Sequence, residues 1–257
     1  MLDTLNWLPR IFGSLTLVGV AIGVSYWQKV GLEKDMLVAV GRAFIQLIAI
    51  GYALDLIFGT QGPFWILLVV AVMVSIAGFT AGRRGKGVPN SRRVATIAIS
   101  VGAVLTLGLL VGLQVFPFEP RFVIPIAGMI VGNSMTVTGL VMARLRDDLR
   151  LQRAQVEAAL ALGATQRQAA ATQLRRALTT GMTPIVDNTK TVGLISLPGA
   201  MTGMILAGAS PLEAVQLQII VMYMLIGAAA FSGLTATFLT YRQFFTRAHQ
   251  LVLPALQ

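Results

Sequence analysis

The chain has 257 residues, of which 56% are hydrophobic and only 12% charged, with a mean hydropathy of +0.78. A soluble domain carries roughly 25% charged residues, so a fold around one aqueous core is excluded and an all-α polytopic membrane protein is expected. The net charge of +10 does not signal nucleic acid, because the basic residues sit in short loops beside apolar runs, where Lys and Arg excess marks the cytoplasmic side of a membrane.

Seven apolar runs predict transmembrane helices near 11–28, 36–58, 64–82, 94–116, 122–143, 184–208 and 215–240, each close to the roughly 20 residues that cross a bilayer. Arg10 is the one basic residue among the first ten, and the long apolar run behind it reads as an uncleaved first span, not a signal peptide. With the N-terminus outside, the inner segments are 29–35, 83–93, 144–183 and the C-terminal tail, and they hold sixteen of the twenty Lys and Arg residues. The outer loops 59–63 and 209–214 hold none. This asymmetry predicts an external N-terminus and a cytoplasmic C-terminus. Small residues one turn apart (Gly108/Gly112, Gly128/Gly132, Gly199/Gly203/Ala207 and Ala229/Gly233) are expected to let helices approach closely, within one subunit in the first reading and at a dimer seam in the alternative. No internal repeat of the kind found in many secondary carriers is visible, and the chain has no cysteine to form disulfides or ligate metal as thiolate.

Polar groups inside spans are costly and mark contacts or pathways. In the second span Arg42 and Gln46 lie one turn apart; Arg42 either snorkels to the headgroups or lines a path, and Asp55 is interfacial. In the fifth span Asn133, Ser134 and Thr136 lie near mid-membrane. Asn133 must either hydrogen-bond to another helix or line a wet path.

The segment 144–183 is too helix-prone to be a mere connection. Leu145, Leu149, Leu151, Val156, Leu160 and Leu162 recur at helical spacing. Gly163 stops that helix, and Thr165 with Gln168 forms a capping box for a second one. Pro184 is expected to open the sixth span at its first helical position. In that span's first turn stand Asp187 and Lys190; Asp187 either pairs with the loop's arginines or offers a carboxylate oxygen to a hard cation. Pro198 and Gly199 predict a bend near the middle of the span, a natural gate. Met201 and Met204 follow the bend; thioethers suit soft metals but equally serve as packing.

Glu157-Ala158-Ala159, with Gly163 four residues on, resembles the E-A-A-x-x-x-G docking element that permeases of ATP-binding cassette (ABC) transporters present to their ATPase. More specifically, the chain resembles the Fet-type iron-export permeases, a family that includes the plant aluminium-tolerance permeases. The resemblance covers most of the chain. It rests on Arg42-x-x-x-Gln46-Leu47 with Gly51-Tyr52, on Gly132-Asn133-Ser134-Met135, and on the segment 157–165. Lys190-Thr191-Val192-Gly193, Leu197-Pro198-Gly199-Ala200-Met201-Thr202-Gly203 and Ile205-Leu206-Ala207-Gly208 complete it. Ala200 and Met204 depart from the family pattern, where Met and Gln are expected.

The resemblance implies a permease of a bacterial inner (plasma) membrane that exports iron, with a nucleotide sugar or another solute as the alternative cargo. The chain itself carries no phosphate loop: Gly85-Lys86-Gly87 lacks the spacing and hydroxyl of G-x-x-x-x-G-K-[ST]. The ATP and Mg chemistry is therefore expected on a separate cassette ATPase subunit, with no cofactor bound here. Cassette ATPases work as pairs and this chain offers one docking loop, so a homodimer with two ATPases is expected. Besides those partners, membrane lipid is expected and nucleic acid is not. The single histidine, His249, stands in the tail, and no nucleophile–base pair or metal-ligand spacing for hydrolysis occurs. A secondary carrier or channel working without an ATPase is the rival class.

Overall fold

The computed structural model describes residues 7–59, 62–246 and 248–253. Among these residues the regular structure is helical, apart from two isolated bridges. The chain divides into two compact units, Met1–Gln61 and Gly62–Gln257.

The first unit is a helical hairpin of α1 (Trp7–Trp27) and α2 (Glu33–Phe58). Its turn takes positive φ at Lys29 and Gly31, and the Ser25 hydroxyl donates to Glu33 Oε1 at 2.8 Å to tie the two helices. No residue of α2 is buried. A helix so apolar, with nothing of its own unit covering it, is suited to a lipid solvent. The Arg10 side chain lies outside the described residues, as does Arg247 in the tail.

The second unit is a bundle of α3 (Pro63–Arg84), α4 (Ser91–Gly112), α5 (Pro120–Leu151), α8 (Ala171–Thr191) and α10 (Pro211–Arg242). Short helices α6 (Arg153–Ala161), α7 (Gln166–Ala169) and α9 (Gly199–Leu206) complete it. The centre is built from small side chains, with Ala81, Ala95, Ala98, Ala127, Ala228 and Ala236 all inaccessible. Small residues let backbones approach where lipid supplies no hydrophobic drive for association. The closest approach joins α3 and α4: a Cβ placed on Gly82 would stand 2.7 Å from the Arg92 Cα, and one on Gly78 would stand 2.1 Å from the Thr96 hydroxyl. The stripes expected to do this are mostly idle, since Gly108, Gly112, Gly132, Gly199 and Gly203 have open space around them. The Ala229/Gly233 stripe is the one closely packed, with Ala229 inaccessible and Gly233 against Leu178 and Val137.

Among the described residues five helices are, by length and composition, long and apolar enough to cross a membrane: α2, α3, α4, α5 and α10. They match the expected second, third, fourth, fifth and seventh spans to within a few residues at their starts. The first run forms α1 (Trp7–Trp27), of which Gly13–Trp27 is an apolar stretch. Two expectations need correction. First, α5 does not stop near residue 143 but continues to Leu151, a 32-residue rod of about 48 Å. Hydropathy falls at Arg144, but helix propensity does not, and the Arg144–Asp148 pair at 3.1 Å staples the extension. The expected single helix across 145–162 is thus two, separated at Gln152.

Second, the run 184–208 is not one bent helix. Pro184 lies inside α8, which began at Ala171. The helix then ends at Thr191, and residues 192–198 are irregular, closed on themselves by the Gly193 N–H donating to the Ser196 carbonyl at 3.0 Å. Gly193 has φ +80, the left-handed backbone that lets the chain turn there. Pro198 is extended and caps α9, with Gly199 as its first residue. The predicted bend at Pro198 and Gly199 is therefore the far edge of a seven-residue interruption.

Candidate functional site

Irregular backbone in a membrane protein is tolerated where it is covered by protein or lines a wet cavity. The interruption in this chain borders a cavity of mostly apolar lining. A cavity of about 440 Å³ lies between the end of α8, residues 192–197, the start of α9 and the first three turns of α10. Thr189, Met201, Gln218 and Met222 supply its polar and sulfur atoms. Gln218 is 5% exposed, and neither its amide oxygen nor its amide nitrogen has a hydrogen-bond partner. Leaving such a group unpaired costs on the order of 1–3 kcal/mol, and both amide atoms are buried beside the cavity, not open to it. The Thr189 hydroxyl donates to the Ile185 carbonyl at 2.7 Å and lies 3.9 Å from the Met222 sulfur. All of these donors are neutral. Among the described residues no cluster of three or more His, Asp or Glu side chains occurs.

The sequence-predicted residues distribute around this cavity unevenly. Met201 lines it; Met204 does not. Asp187 and Lys190 pair with each other at 3.1 Å on the exposed side of α8. Asn133 on α5 donates through Nδ2 to the Leu225 carbonyl of α10 at 2.9 Å, an interhelical bond. Ser134 is fully buried where α4, α5 and α10 meet, beside Gly102 and Ser232. Arg42 and Gln46 are exposed on α2 in the other unit. The sequence reading passed over Gln218 and Met222. The criterion that drew attention to Asn133, a costly amide inside an apolar run, applies equally to Gln218.

A second assembly stands at the opposite end of α8. Here α6 carries Glu157, which pairs with Arg153 at 2.7 Å, and exposes Ala158. Gly163 takes φ +89 and ends the element with its N–H on the Leu160 carbonyl. The Thr165/Gln168 capping box then starts α7 as expected, but the helix expected to continue through Ala169–Ala171 to Leu178 stops at Ala169, and α8 begins separately at Ala171. This hairpin is fixed from behind on three sides. Val156 is fully buried in the core, Gln173 of α8 donates to Gln152 at 2.7 Å, and Gln166 donates to the Thr246 carbonyl of the tail at 2.8 Å. Outward it presents Glu157, Ala158 and Leu162, the last 89% exposed. From Ala171 one unbroken helix runs to Thr191 at the cavity, about 30 Å away.

Fold and composition define a multi-pass α-helical membrane protein. A family model described as "Uncharacterised protein family (UPF0014)" matches residues 9–245, and the chain belongs to that family. It is 54% identical over 235 residues to the UPF0014 membrane protein STAR2 of Oryza sativa subsp. japonica, covering 91% of this chain and 82% of the relative. It is 54% identical to the protein ALUMINUM SENSITIVE 3 of Arabidopsis thaliana, covering 96% of this chain and 90% of the relative. Its identity to the "Probable iron export permease protein FetB" of Escherichia coli (strain K12) is 43%, covering 95% and 94%. These relatives bear out the resemblance read from the motif blocks. No solved structure matches the chain.

Proposed function

We propose that this chain is the permease subunit of an ABC transporter, driven by a separate cassette ATPase and moving its cargo past the cavity at Gln218. The observation that carries this reading is the mechanical continuity between the two assemblies. The hairpin around Glu157, Ala158, Ala159 and Gly163 is braced against α5, α8 and the tail. Because Pro184 lies within α8 and does not begin a new helix, a displacement of the hairpin reaches Thr189 through one rod. The irregular segment 192–198 and the short α9 then absorb the motion, as a broken helix does in transporters. The gating element is thus the whole interruption bounded by Pro198 and Gly199. Asn133 and Ser134 hold the bundle that the rod moves against, and Arg42, Gln46, Asp187 and Lys190 are kept as pathway candidates.

The chain works as a homodimer with two ATPases, which bind the ATP and Mg; its N-terminus faces outward and its docking hairpin the cytoplasm of a bacterial cell, in the inner (plasma) membrane. The cargo is iron, exported, as the name of the Escherichia coli relative suggests. The cavity's lining carries neutral amide, hydroxyl and thioether groups and no carboxylate or imidazole, so any metal ion passing there is held weakly enough for release. No enzyme chemistry belongs to this chain. The test is reconstitution of the permease with its ATPase in vesicles, comparing ATP-dependent movement of ferrous iron with that of a nucleotide sugar. Iron moving only with ATP and ATPase present supports the reading; a nucleotide sugar moving while iron stays put overturns the cargo, and movement without ATPase overturns the class in favour of a secondary carrier.

A further inference from the structure

A second groove runs between α8 and α10, near the end of the bundle that carries the hairpin. Ala171, Leu174, Arg175 and Leu178 form one stripe on α8, and Leu234, Thr237, Phe238 and Tyr241 form the facing stripe on α10. Both follow the i, i+3, i+4, i+7 spacing of a single helix face. The groove encloses about 270 Å³, small beside the roughly 300–1,000 Å³ of sites that swallow a whole organic ligand. It suits a chain lying along the surface with its polar end at one mouth. Arg167 and Arg175 line it, and the Arg242 guanidinium stacks over Phe238 at 4.3 Å. No Asp or Glu lines the groove, and none of the three arginines makes an ion pair among the described residues.

The apolar run of α10 ends at Tyr241 and Arg242. Aromatic and basic side chains at such a boundary sit at the headgroup level. Up from the arginines the groove continues apolar, between Leu178 and Leu234. We infer that this groove binds one anionic phospholipid, its phosphate held by Arg167, Arg175 and Arg242 and an acyl chain lying along Leu174, Leu178, Leu234 and Phe238. Charge fixes the class of occupant: a zwitterionic lipid brings its own cation to the three guanidiniums, whereas an anionic headgroup does not. The bound lipid bridges α8 to α10, so it bears on the rod without being cargo.

The full-length chain, purified in detergent, is offered phosphatidylglycerol, phosphatidylcholine or inorganic phosphate, and retained molecules are counted by native mass spectrometry alongside a thermal-shift measurement. Phosphatidylglycerol is expected to be retained and to raise the melting temperature, with neither effect from the other two. Arg167→Gln with Arg175→Gln should weaken retention roughly thirtyfold, while Arg93→Gln, equal in kind of charge lost but outside the groove, leaves it unchanged. Leu234→Trp, which fills the groove and keeps every arginine, should also release the lipid. Equal retention of phosphatidylcholine, displacement by inorganic phosphate alone, or an equal loss in Arg93→Gln would each overturn the assignment. None of these readouts depends on transport, so they stand or fall apart from the permease reading.

Discussion

Gln218 and Asn133 are both amides inside apolar helices, and the structure gives them opposite accounts. Asn133 spends its donor on the Leu225 carbonyl and so ties α5 to α10. Asn133→Ala should therefore lower stability by about 1 kcal/mol, the net worth of one such bond, seen as a lower melting temperature with altered yield. Gln218 makes no bond at all. Gln218→Leu removes an unsatisfied buried amide and is expected to leave the melting temperature unchanged or raised, while transport falls at least tenfold. A Gln218→Leu protein that transports normally would show that the cavity at the broken helix is not on the pathway. Gly82 gives the third case. A Cβ there meets the Arg92 backbone, which cannot swing aside as a side chain tip can. Gly82→Ala should cost about 1–3 kcal/mol, read by thermal unfolding in detergent.

Among the elements, the hairpin and the rod were unequally legible. The Thr165/Gln168 capping box and the glycine stop at Gly163 are local chemistry, written within three or four residues, and both appear as read. The long apolar runs were equally plain, because length and hydropathy decide them. The sixth run was misread for a physical reason: hydropathy does not distinguish a continuous helix from two pieces joined by an irregular turn. Nor does a proline announce whether it starts a helix or sits inside one. Pro184 lies within α8 beside Thr183, whose hydroxyl donates to the Thr179 carbonyl at 2.8 Å. The packing glycines were hidden as well, since which glycine meets a neighbour depends on helix rotation, which small-residue spacing alone does not give. If α8 acts as a rod, weakening it must matter. Replacing Thr179 and Thr180 by glycine, at roughly 0.3 kcal/mol of helix propensity each beyond threonine and next to Gly181, should loosen the rod and uncouple ATP hydrolysis from transport while ATPase docking persists. Retained coupling in that variant would mean that the motion travels by another route.

At the scale of the molecule, the proposed orientation rests on the distribution of charge, and the absence of cysteine makes it directly measurable. Leu162 is exposed on the hairpin and Leu212 at the opposite end of the bundle's last helix. An impermeant maleimide should label Leu212→Cys in intact cells and Leu162→Cys only after permeabilisation; the reverse pattern would invert the topology. The central claim, however, is that the hairpin carries the power stroke to the cavity. It is tested most directly by ATP-dependent ferrous-iron flux and ATPase activity in vesicles holding the permease with its cassette ATPase, for the wild type and for Glu157→Ala with Gly163→Val. Valine at a backbone of φ +89 is strained by about 1–2 kcal/mol, and the glutamate supplies the one acidic group on the docking face. The account predicts that this variant folds and inserts normally but loses both ATP-driven flux and the permease's stimulation of the ATPase. Wild-type flux and stimulation in the variant would contradict it.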